Sequence, residues 1–120
     1  MYKIDFYKTV SGVSPVNEFL DELRLKKETS KDARVQYNQA IRAIRELEKN
    51  GTNVSVDIAK QIEDEIWELR PGKNRVFFFY YERGTYILLH QYVKKTQKTP
   101  RREINRAKFE MNDYKQRKGK

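Results

Sequence analysis

Along the chain, apolar positions recur first at period two, then at helical spacing, then at period two again. "YKIDFYKTV" puts Tyr2, Ile4 and Phe6 on one side and predicts a short strand, which Ser11 and Gly12 end. Ser14 before Pro15 reads as an N-cap with proline at the first helical position, and Val16, Phe19, Leu20 and Leu23 predict an amphipathic helix to about Lys27. A second helix starts near Thr29 or Ser30. It carries Ala33, Tyr37, Ala40, Ile41, Ile44 and Leu47 on one stripe and stops at Asn50 and Gly51. Residues 52–65 show no clear period and read as a loop or a short extended piece.

From Ile66 the period is two. "IWELR", "RVFFFYYE" and "TYILLHQYV" are strands separated by the turn compositions "PGKN" and "RG", and Thr99–Pro100 opens a last helix with Ile104, Ala107, Met111 and Tyr114 on its apolar stripe. The predicted fold is a single α+β domain over residues 1–120, in the order β-α-α-β-β-β-α. Its small antiparallel sheet has one face under the two early helices.

The turns also predict register. A four-residue "PGKN" loop sets Glu68 against Phe77 and Arg70 against Arg75; a two-residue "RG" loop sets Phe77 against His90 and Arg75 against Tyr92. One face then carries Trp67, Leu69, Val76, Phe78, Tyr80, Ile87, Leu89 and Val93, the side expected under the helices. The other carries Glu68, Arg70, Arg75, His90, Tyr92 and Lys94 at one end, with Phe79, Tyr81 and Leu88 toward the other, and is expected to be a solvated, concave, basic surface. Two arginines directly opposite repel, so something anionic belongs between them. A slip of one residue would exchange Lys94 for Lys95, so the pair is assigned jointly.

Composition narrows the chemistry. Apolar residues make up 38% and charged residues 36%, so burial falls to the 8 Tyr, 6 Phe and 1 Trp. With no cysteine and one histidine there is no disulfide framework, no thiolate or paired-histidine metal site and no cysteine nucleophile; a reducing cytoplasm is the expected compartment. No segment has the apolar length of a signal peptide or membrane span. The net charge is +9, and residues 91–120 hold 11 Lys/Arg against 3 Asp/Glu, a net of +8. That excess fits either a polyanionic partner or a solubilising tail.

The basic face has the parts for RNA cleavage by the 2′-hydroxyl: a base, cations for the phosphorane and an acid for the 5′-oxygen. Arg70 and Arg75 supply forks for phosphate oxygens, and Lys94 or Lys95 supplies further charge. Glu68 and His90 flank Phe77 roughly 10 Å apart at the backbone, as candidate base and acid. Each has a plainer reading: Glu68 as the ion-pair partner of Arg70 or Arg75, His90 as a buried side chain satisfied by hydrogen bonds. Phe77 and Tyr92 are candidates to stack a base, with core packing the alternative for Phe77. Nothing calls for a cofactor: there is no P-loop and no "GxGxxG".

"WELR", an arginine opening the next strand, the "LLH" strand and "KKTQKTP" before a basic helix resemble the RelE-like toxins of bacterial toxin-antitoxin modules, in the HigB or phage Gp49-like branch. The similarity covers residues 66 to about 110 well and the first 65 only in element order. It implies a microbial-RNase-like α+β fold, a metal-independent endoribonuclease that cuts mRNA on the translating ribosome, and a HigA-like helix-turn-helix antitoxin as partner. Carried over by position, Arg75 matches the phosphate-contacting arginine of the central strand, and Lys94 and Lys95 fall where the family places a basic residue. Glu68 stands where some members have a catalytic lysine, and Tyr114 is a weak match to a tyrosine that some members use. The expected RNA contacts are Arg70, Arg75, Tyr92, Lys94, Lys95, Lys98, Arg101 and Arg102. A non-catalytic nucleic-acid-binding module, or a degenerate toxin serving as operon co-repressor, would use the same face.

Overall fold

The computed structural model describes residues 1–119. Its elements are β1 (Lys3–Phe6), α1 (Pro15–Lys26), α2 (Lys31–Asn50), β2 (Ala59–Glu63), β3 (Ile66–Leu69), β4 (Asn74–Tyr80), β5 (Thr85–Val93) and α3 (Arg101–Lys118). The helix signals in the sequence act as expected. The Ser14 hydroxyl accepts from Asn17 N at 3.4 Å and the Ser30 hydroxyl from Ala33 N at 3.1 Å, satisfying N–H groups that the first turns leave free. Gly51 ends α2 at φ 61°, a left-handed conformation that costs glycine little.

The sheet has five strands in the order β1-β5-β4-β3-β2. Two expectations need correction. Part of the 52–65 segment is a full edge strand, β2, antiparallel to β3; and β1 pairs with β5 in parallel, so the sheet is mixed. The β3–β4 register is the expected one, with Glu68 opposite Phe77.

Along β4–β5 the expected register holds at one end only. Arg75 does face Tyr92, but Tyr80 faces Tyr86 and Phe78 faces Leu88, one residue off. The cause is the turn: Tyr81 N donates to Thr85 O, giving a three-residue loop in which Arg83 and Gly84 both take positive φ. A bulge between Val76 and Phe78 restores the register by setting Leu89 and His90 together against Phe77. Ile87 and Leu89 therefore lie on the face opposite to the one expected, and Leu88 changes places with them.

Both faces are covered. On one face Val16 of α1 and Ala43 and Leu47 of α2 pack on Leu69, Val76, Phe78, Tyr86 and Leu88, with Trp67 half-buried at the edge. Helix α3 lies across the other face, its Ala107, Met111 and Tyr114 packing on Tyr7, Ile66, Phe77, Phe79, Ile87, Leu89 and Tyr92. The face expected to be open and concave is thus a second core. Tyr80 and Val93, expected under the helices, are exposed.

Candidate nucleic-acid interface

Covering that face takes Glu68, His90 and Phe77 out of solvent. Glu68 is fully buried. Its Oε2 lies 3.2 Å from Arg70 Nε and 3.8 Å from Arg75 Nε, and its Oε1 accepts from the Tyr92 hydroxyl at 3.4 Å. The anion expected between the two arginines is therefore Glu68 itself. With one carboxylate oxygen shared by two guanidinium groups, Arg70 takes the hydrogen bond and Arg75 Nε is buried without an acceptor. Arg75 is held instead at Nη1, which donates to Gly72 O at 2.8 Å and Asn74 O at 2.9 Å.

His90 is also fully buried. Its Nδ1 lies 2.6 Å from Glu110 Oε1 and its Nε2 2.9 Å from Glu103 Oε1, so both ring nitrogens are engaged by α3. Phe77, between His90 at 5.0 Å and Tyr92 at 5.4 Å, has no surface left for a base. Glu68 and His90 do flank Phe77 in one row, but inside the protein and without access to a phosphate. Tyr92 is nearly buried, and burial first, then the Glu68 carboxylate, raises its pKa against an opposing hydrogen bond from Thr99.

Of the predicted site residues, Lys95, Lys98 and Arg102 stand exposed at the rim where β5 leaves the sheet. An open groove of about 950 Å³ runs between this strand end and the first turn of α3, lined by Tyr92, Lys95, Lys98, Thr99, Arg102 and Glu103 among others. Lys95, Lys98 and Arg102 are exposed; among the described residues neither lysine has an ion pair, and Arg102 lies 3.9 Å from Glu103. The Thr96 hydroxyl donates to Lys98 O at 2.8 Å and shapes the loop. Lys94, half-exposed, anchors the strand end through its N–H to Lys73 O. Arg101, expected to contact RNA, is instead paired through both Nη atoms with the Glu63 carboxylate at 2.9 Å. Lys108 joins the same carboxylate, and these hydrogen bonds, those from Arg101 foremost, pull the Glu63 pKa down to about 2.

A family model described as "Phage derived protein Gp49-like (DUF891)" matches residues 18–112, from within α1 to within α3. The chain belongs to this family. Gp49-like proteins fall in the RelE/HigB-like toxin group, so the protein is related to toxin-antitoxin systems, and its α+β architecture agrees with a RelE-like fold. No curated protein matches the sequence significantly. No helix among the described residues is long and apolar enough to cross a membrane.

Sequence reasoning missed Glu103 and Glu110, which hold His90. A signal was present: the basic last quarter has only three acidic residues, Glu103, Glu110 and Asp113, and the first two are seven apart, on one helix face. All three turn inward, to His90, His90 and Tyr7 respectively.

Proposed function

We propose that this Gp49-like protein is the toxin of a type II toxin-antitoxin module, a ribosome-dependent mRNA endonuclease of the cytoplasm that is neutralised by a HigA-like helix-turn-helix antitoxin. The observation that carries the reading is the groove beside Tyr92, where Lys95, Lys98 and Arg102 stand exposed within reach of one strand of RNA. Cations so placed would neutralise the backbone of a bound message and the charge that develops on phosphorus as its 2′-hydroxyl attacks. Arg75, with Nη1 fixed on two turn carbonyls, would add a positioned guanidinium at the edge of the same site.

A second reading, a binding module that grips RNA without cutting it, has its own support: Glu68 is buried and ion-paired with Arg70, and His90 is buried with both ring nitrogens against carboxylates. Primer-extension mapping of a reporter mRNA in a purified translation system separates the two. An endonuclease gives cuts that need ribosomes and disappear with Lys95→Ala/Lys98→Ala. RNA binding that depends on those lysines, with no cuts at any ribosome concentration, would leave the binding module.

A further inference from the structure

The groove is lined by one carboxylate, that of Glu103. Glu103 lies in the first turn of α3, with its side chain 17% exposed toward the groove. Its two oxygens differ. Oε1 meets the buried His90 Nε2 at 2.9 Å, whereas Oε2 has only Arg102 Nε at 3.9 Å, beyond hydrogen-bond length. Behind it, the His90 ring is fixed by Phe77 at 5.0 Å and by Glu110, which Arg106 Nε holds in turn at 3.2 Å. A ring whose two nitrogens each face a carboxylate oxygen cannot turn without losing a contact, so Glu103 is held with Oε2 directed outward.

We propose that Glu103 is the proton acceptor of the site and that His90 and Glu110 are its positioning residues; the inference rests on the endonuclease reading above. Oε2 takes the proton of the RNA 2′-hydroxyl as that oxygen forms its bond to phosphorus. The bond from phosphorus to the 5′-oxygen breaks, and the 5′-oxygen takes a proton from the ammonium group of Lys95 or Lys98. The products are a 2′,3′-cyclic phosphate and a 5′-hydroxyl, and exchange with solvent returns Glu103 and the lysine to their starting charge.

The test is single-turnover cleavage of mRNA in programmed ribosomes by the wild type, Glu103→Gln and Glu103→Asp, with RNA affinity and thermal melting measured alongside. Glutamine keeps a polar partner for His90 but cannot act as the base. It should cut about 100-fold more slowly or worse at saturating complex, with half-saturation and RNA affinity unchanged. Aspartate keeps the charge but draws it back by one methylene, and should fall between the two. A Glu103→Gln rate within about 3-fold of the wild type overturns the assignment, since a positioned base contributes far more than that. Restoration of the Glu103→Gln rate by a sulfur leaving group at the 5′-bridging position also overturns it, because Glu103 would then be the acid. If the wild type itself binds RNA without cutting, the endonuclease reading falls and the base with it, a result distinct from any difference between variants.

Discussion

If Lys95, Lys98 and Arg102 neutralise RNA phosphates, their removal should alter the salt dependence of binding by a calculable amount. Each phosphate contact on a single strand contributes a slope of about −0.7 in log K against log salt, so losing one makes the slope shallower by that much. Between about 50 and 200 mM salt this is roughly 2.5-fold in affinity per contact, and roughly 20-fold for the triple variant Lys95→Ala/Lys98→Ala/Arg102→Ala. All three residues are exposed, so the fold should not change. Arg101→Ala is the internal control. Its guanidinium is engaged by Glu63 through two bonds at 2.9 Å, so its removal should shift the slope by less than half as much as Lys98→Ala. Fluorescence anisotropy of a labelled single-stranded RNA across a salt series measures all of these. A triple variant with the wild-type slope, or an Arg101→Ala shift equal to that of Lys98→Ala, would refute the assignment of the groove.

Arg75→Ala should lower stability in urea by about 1–3 kcal/mol, because it removes two bonds to turn carbonyls and one of the two cations beside the buried Glu68; an unchanged midpoint would count against that network. Phe77→Ala should cost about 3–5 kcal/mol by equilibrium unfolding, since the ring is fully buried between His90 and Tyr92. Burial, then the Asp113 hydrogen bond, pushes the Tyr7 hydroxyl up to about 12 from its ordinary 10.0; the stability it contributes is whole below pH 10 and lost as pH rises through about 12, which tyrosinate absorbance and unfolding should show together and Tyr7→Phe should abolish. On the acid side, Glu63 is depressed from 4.5 to about 2, so its contribution is present above pH 4.5 and lost as pH falls through about 2; Glu63→Gln should flatten the stability profile over that window.

Which features could be read from the sequence follows from whether their cause is local. The Ser14 and Ser30 caps and the buried stripe Ile104, Ala107, Met111 and Tyr114 depend on neighbours within a turn or two of helix, and each is where the sequence puts it. Strand β2 escaped because "AKQIE" lies at an edge and buries only Ala59 fully, leaving no alternation to detect. The parallel partnership of β1 depends on β5, some eighty residues away in sequence. The inverted positions of Ile87, Leu88 and Leu89 trace to one residue of turn length, and the bulge that corrects it leaves no mark in a run of apolar residues. Beyond the bulge, at the Arg75 end of the hairpin, the observed register coincides with the one that a two-residue loop predicts.

The location of α3 decides where function can reside. With both faces of the sheet packed, neither is open to a nucleic acid, whereas the rim where β5 meets α3 has exposed cations around an open groove. The helix that closes the second face also sorts charge: its acidic residues turn inward to His90 and Tyr7, while Arg102 stays at the surface beside Lys95 and Lys98. The outward field of this segment is therefore more positive than its net charge suggests, because the compensating carboxylates lie beneath the helix. Glu103 faces both ways, one oxygen on buried His90 and the other beside the groove, as the proposed proton acceptor requires.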